Sequence, residues 1–184
     1  MVKAQYRIWL ALSVSVLLSA CANLVANTSY SYPLQIPIDL AVPTAVSTGT
    51  FNVPRRSVFL IELHFDYDKN NRENIANLSQ LLGSSARSSG GRLVDPGIET
   101  PIRIALDKIE GAKLISIFYL ESVTPEYSGG VVGTSKIRQI RRLILEPGIY
   151  RITANSIVER KEFANFGVSL VAAIDPRAVP GPRP

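Results

Sequence analysis

Apolar and polar residues alternate with a period of two over most of this chain, and that period predicts strands. From Leu34 to Leu40, Leu34, Ile36, Ile38 and Leu40 alternate with Gln35, Pro37 and Asp39. Proline has no N–H for a ladder, so Pro37 predicts a strand at a sheet edge. A short strand follows around Thr50 to Val53, and Pro54 ends it. Ser57 to Tyr67 alternates most clearly: Phe59, Ile61, Leu63, Phe65 and Tyr67 face one way, Glu62, His64 and Asp66 the other. Ile102, Ile104 and Leu106 mark the next strand. Glu110-Gly111 then turns the chain into Lys113 to Glu121, which is apolar on both faces and so predicts a central strand. Ser135 to Glu146 resumes the pattern, but the alternation slips between Ile137 and Leu143, as a β-bulge would make it. Pro147-Gly148 makes a turn into Ile149 to Val158, and Phe166 to Ile174 closes the series.

The period changes once. Asn70, with Glu73 three residues on, resembles a capping box, Ile75, Leu78, Leu81 and Leu82 form one apolar stripe, and Gly83 stops it. This helix is an insertion between strands. Two loops are read at Ser84 to Gly91, with Arg87, and at Thr124 to Gly133, with Tyr127 and Gly129-Gly130, and Asp95-Pro96-Gly97 is a turn. The fold class expected is all-β: an antiparallel β-sandwich of about seven to eight strands with one short helix inserted in a loop, a barrel being the alternative. The sandwich is assigned to residues 33–175 and a Pro-rich tail to 176–184, with no internal repeat.

The N-terminus follows another pattern. Lys3 and Arg7 precede an apolar run from Ile8 to Leu18, and Leu17-Leu18-Ser19-Ala20-Cys21 ends it. This is secretory signal architecture, too short to span a bilayer, and its ending resembles a bacterial lipobox. That resemblance implies cleavage after residue 20 and acylation of Cys21, with residues 21–32 as a tether. Several acyl chains at about 0.8 kcal/mol per buried methylene would anchor it stably. Ala22, not aspartate, follows the cysteine, which by resemblance to Gram-negative sorting signals implies an outer-membrane lipoprotein facing the periplasm. An ordinary signal peptide cut at a nearby small residue is the alternative.

Cys21 is the single cysteine, so no internal disulfide is available. The formal net charge is +5, and loss of Lys3 and Arg7 leaves +3. This mild basicity permits an acidic partner but does not indicate nucleic acid. His64 is the single histidine, which excludes a multi-histidine metal site, and no serine sits in a nucleophile elbow. Asp66 to Asn70 starts like a calcium loop, but Asn71 replaces the turn glycine and Asn77 the bidentate glutamate. No cofactor is expected. Lys136, Arg138, Arg141 and Arg142 form the densest basic cluster. If the bulge gathers them on one exposed face, Arg138, Arg141 and Arg142, with Tyr127 from the nearby loop, form a candidate partner-binding set. A charged edge that discourages aggregation is the plainer reading.

Four segments, Tyr32-Pro-Leu-Gln-Ile-Pro-Ile-Asp-Leu40, Leu93-Val-Asp-Pro-Gly-Ile-Glu-Thr-Pro-Ile-Arg-Ile104, Leu145-Glu-Pro-Gly-Ile-Tyr-Arg-Ile152 and Phe166-Gly-Val-Ser-Leu170, resemble an uncharacterised group of Gram-negative lipoproteins, domain-of-unknown-function family 5625. They are strands and turns, so the resemblance implies a shared fold and transfers no functional residue. The function expected is a lipid-anchored periplasmic protein-binding module, of which an immunity protein neutralising a bacterial toxin is one form. The alternative is an envelope structural or assembly lipoprotein binding peptidoglycan, lipopolysaccharide or a membrane complex. A glycosidase using Glu62 and Asp66 would need a set carboxylate separation across a cleft, and no catalytic residue is assigned.

Overall fold

The computed structural model describes residues 34–43 and 46–175, so Cys21, the signal segment, the tether and the proline tail lie outside the described residues. Nine strands form within them: β1 (Leu34–Pro37), β2 (Val46–Val53), β3 (Ser57–Asp66), β4 (Ile102–Glu110), β5 (Lys113–Val123), β6 (Glu126–Val132), β7 (Ser135–Leu145), β8 (Gly148–Ser156) and β9 (Val168–Ile174). A helix, α1 (Arg72–Leu82), follows β3, and a 3-10 turn (Lys161–Phe163) precedes β9. The strands make a five-stranded sheet ordered β1-β9-β3-β7-β6 and a four-stranded sheet ordered β2-β8-β4-β5, and every pairing is antiparallel. This is an antiparallel β-sandwich.

The core is built from the inward set of each alternation. Phe59, Ile61, Leu63 and Phe65 of β3 are fully buried, as are Ile102, Ile104 and Leu106 of β4, and each such side chain contributes about 1.5–3 kcal/mol. Phe51 of β2 lies 5.5 Å from Phe59 and 5.7 Å from Tyr150 of β8, which ties the sheets together. One side of the sandwich is closed by β1 and β2. Gly49 makes that approach feasible, because a Cβ there would lie 2.8 Å from Ile36 Cγ2, and the Ser47 hydroxyl donates to the Pro37 carbonyl at 2.6 Å. Pro37 does sit on an edge strand, as its missing N–H requires.

Three expectations change. The ninth strand, β6, comes from the segment read as a loop. It pairs with β7 at Glu126 and Tyr127, then again at Val131 and Val132, and the glycines between break both ladder and alternation. Next, β5 is not central. It ends the four-stranded sheet, and Leu114, Ile115, Ile117 and Tyr119 are 42–54% exposed. Apolar residues on both faces of a strand signal burial only where a layer packs on each face, and a strand at the end of a two-layer sandwich lacks that cover. Finally, the helix cap is Asn71, one residue later than read: its side chain accepts from Asn74 N–H at 3.0 Å, and Asn74 Oδ1 accepts from Asp68 N–H at 2.9 Å.

Candidate functional site

The expected bulge forms, and it separates the arginines it was expected to gather. In the β3–β7 ladder Ile61 faces Arg141 while Glu62 faces Gln139, so Ile140 is the extra residue. Residues opposite one another in an antiparallel pair share a face. Arg138, opposite Leu63, therefore points inward, and Arg142, opposite Leu60, points outward. Arg141, opposite Ile61, is inward by register but exposed, beside the bulge. Arg142 Nε donates to Asp175 Oδ2 at 3.1 Å.

Arg138 is 1% exposed, so it cannot meet a partner at the surface. Its guanidinium sits among backbone carbonyls. Nη1 donates to the Ile98 carbonyl at 2.6 Å and the Thr100 hydroxyl at 3.0 Å, and Nη2 to the carbonyls of Leu82 at 3.0 Å and Pro96 at 3.2 Å. Leu82 is the last residue of α1, where unpaired carbonyls give the helix its negative end, so a cation is stabilised there. Burial still pushes the guanidinium down to about 10, with the negative charge of Glu99 opposing the shift. Arg138 pins the end of α1 to the 95–100 segment.

The two segments singled out as loops converge at the other side of the sandwich from β1 and β2, where β5 passes into β6. Arg87 and Glu126 form an ion pair across them, and Gly129 packs against the Ser85 side chain. A groove of about 410 Å³ opens there, lined by Arg87, Glu126, Tyr127, Ser128, Gln139 and Ile140, and by Val123 and Thr124. Tyr127 is half-buried against the core, and Lys136 Nζ lies 5.9 Å from its ring centroid. Burial first, then the neighbouring Tyr67, raises the Tyr127 phenol above its ordinary value, while burial lowers Lys136. Tyr127 thus lines the groove as a neutral amphipathic anchor, a type of residue suited to interfaces.

The remaining candidates are occupied structurally. His64 Nε2 lies 3.0 Å from Glu62 Oε2 on the same strand, both 9% exposed. Asp66 accepts from the Ser135 hydroxyl, and Asp68 Oδ1 accepts from Asn70 N–H at 2.9 Å, which is the work of a strand end and a helix entrance. Among the described residues no three His, Cys, Asp or Glu side chains gather in a way that could hold a metal ion. Sequence reasoning missed Glu126 and Gln139, which only the β6–β7 pairing brings to the groove. It also missed the exposed β5, for which the one usable signal was a long apolar strand bounded by Lys113 and Glu121.

A family model described as a domain of unknown function (DUF5625) matches residues 35–172. Comparison with curated proteins returned no match. Among solved structures, a crystal structure of a protein from Sulfurospirillum deleyianum is similar, with a TM-score of 0.63 and 18% identity, covering 80% of this chain and 99% of that one. At that identity the likeness concerns the fold.

Proposed function

This chain belongs to the DUF5625 family, and from the geometry above and the lipobox resemblance we propose that it is a lipid-anchored periplasmic protein-binding module whose interface is the open β5–β6 side. One observation carries the reading: β5 is an eleven-residue edge strand that exposes Leu114, Ile115, Ile117 and Tyr119. Val131 and Val132 of β6 are also exposed, at 52% and 59%. An uncovered apolar edge is a liability unless something covers it in use. The β5 edge is also bulged twice: Ile117 is an extra residue against Leu106 and Asp107, and another extra residue falls between Leu120 and Val123. Bulges twist an edge and interrupt its ladder, so a partner docks on side chains and in the Tyr127 groove more readily than by adding a strand. The apolar edge supplies area, and the groove, with its Arg87–Glu126 pair, supplies polar selectivity. Anchoring through Cys21, read from the lipobox resemblance, would hold this surface in the periplasm. A toxin delivered by neighbouring cells is one partner of the required kind.

The test is photo-crosslinking in living cells from a probe at Tyr119, with a second probe at exposed Thr48 on the closed side. A discrete protein adduct from Tyr119 and none from Thr48 is expected. Equal adducts, or none from Tyr119, would remove the proposal. If the captured partner is a toxin, cells lacking this protein should die in competition with cells that deliver it.

A further inference from the structure

We propose that a second groove, between α1 and the 3-10 turn, is a binding site for a neutral saccharide. It has a volume of about 360 Å³, within the range of small-ligand sites. The helical period builds one wall: Asn74, Asn77 and Leu81 fall at i, i+3 and i+7 on one stripe, with Gln80 beside them. The buried stripe of the same helix, Leu78 and Leu82, holds that wall against the core. Glu162, Asn165 and Phe166 form the other wall.

Both walls are fixed before any ligand arrives. The Asn71 cap and the Asp68–Asn74 hydrogen bond set the start of α1. On the facing side Phe163 is 2% exposed and lies 5.2 Å from Phe65. The 160–167 segment is tied at its start by Arg160 N–H to the Leu40 carbonyl at 2.8 Å, and at its end by Asp66 N–H to the Gly167 carbonyl at 2.8 Å. A site held in this way spends little on ordering when it binds.

The lining selects the ligand. Four side-chain amides face one groove, and a primary amide offers both donors and acceptors. A sugar hydroxyl also donates and accepts, so vicinal hydroxyls pair with amides without changing the charge of either. Phe166 is half-buried, packed on the core while still lining the groove, and the negative face of an aromatic ring attracts the polarised C–H groups of a pyranose. No lysine or arginine lines the groove, and Glu162 does, so phosphorylated or acidic sugars are disfavoured. Peptides are gripped chiefly by strand edges or apolar channels. Here the walls are a helix and a 3-10 turn, whose backbone groups are largely paired internally. The site stands apart from the β5–β6 groove and does not depend on any protein docking there.

Saturation-transfer NMR on the full chain tests this, with chitotriose and maltotriose as neutral probes, glucose 6-phosphate as an anionic one and trialanine as a peptide. Transfer to at least one trisaccharide is expected, with none to glucose 6-phosphate or trialanine. Asn77→Ala with Asn165→Ala, both at exposed positions, should weaken trisaccharide binding about tenfold without moving the melting temperature. Each single variant should give part of that loss, which keeps the test open if the double variant folds poorly. Absence of transfer to both trisaccharides overturns the proposal, as does binding unchanged by Asn77→Ala and Asn165→Ala. Preference for trialanine would make the groove a peptide site instead.

Discussion

Arg138 stands in a run, Lys136 to Arg142, in which nothing local separates it from Arg141 and Arg142. The separation comes from across the ladder: Arg138 faces Leu63 and is enclosed, and Arg142 faces Leu60 on the outer face. Its role follows from its donors. Replacing Arg138 with Leu strands the carbonyls of Leu82, Pro96 and Ile98, and each buried unsatisfied group costs about 1–3 kcal/mol. Urea denaturation of Arg138→Leu should therefore show a loss on the order of 3 kcal/mol. Arg138→Lys should recover little, because an ammonium cannot fork to four acceptors. A loss under 1 kcal/mol would show that water replaces the guanidinium. Arg141→Ala, at an exposed position, should stay within about 0.5 kcal/mol of the parent.

At the scale of the element, the junction that Arg138 serves depends on two glycines. Gly83 ends α1 with φ +77° and Gly97 turns the Asp95-Pro96-Gly97 segment with φ +63°. A Cβ on either would lie 2.4 Å from the backbone of the other segment. Ser84 N–H to the Asp95 carbonyl and Ile98 N–H to the Leu81 carbonyl, both at 2.8 Å, complete the junction. Gly97→Ala should cost about 1–3 kcal/mol from backbone strain, and hydrogen exchange at the Ser84 and Ile98 amides should accelerate before that of β3. Equal protection in parent and variant would mean that the segments separate without harm. The helix stop at Gly83 and the turn at Gly97 were both legible as glycine signals, but their contact was not, since thirteen residues of chain lie between them. The β5 strand shows the complementary failure. Its hydropathy describes a strand that should be covered on both faces, yet it ends its sheet with Leu114, Ile115, Ile117 and Tyr119 exposed.

For the molecule as a whole, tyrosine ionisation should set the alkaline limit of stability. Tyr119 is raised chiefly by its hydrogen bond to Glu121, and Tyr127 and Tyr150 chiefly by burial. An acid whose folded pKa is raised binds its proton more tightly when folded, so its contribution is present below the ordinary tyrosine range and is lost as pH rises above about 10. Arg138 acts with the opposite sign there, because burial lowers its folded pKa to about 10. Comparing parent with Tyr127→Phe isolates the tyrosine share: the variant's stability should fall less steeply above pH 10 in denaturation series. Parallel curves would show that Tyr127 ionises as freely in the fold as in the unfolded chain.

The existence of every strand but β6, the edge position marked by Pro37, the bulge between Ile137 and Leu143 and the inward set of β3 were determined by sequence, because side-chain alternation and the missing proline N–H act over a few residues. Which strand ends each sheet, which arginine is enclosed and which loops meet were decided only by tertiary structure. Those outcomes depend on pairings between distant segments, such as β3 with β7 and β4 with β8, and on the side of the sandwich left without a covering strand.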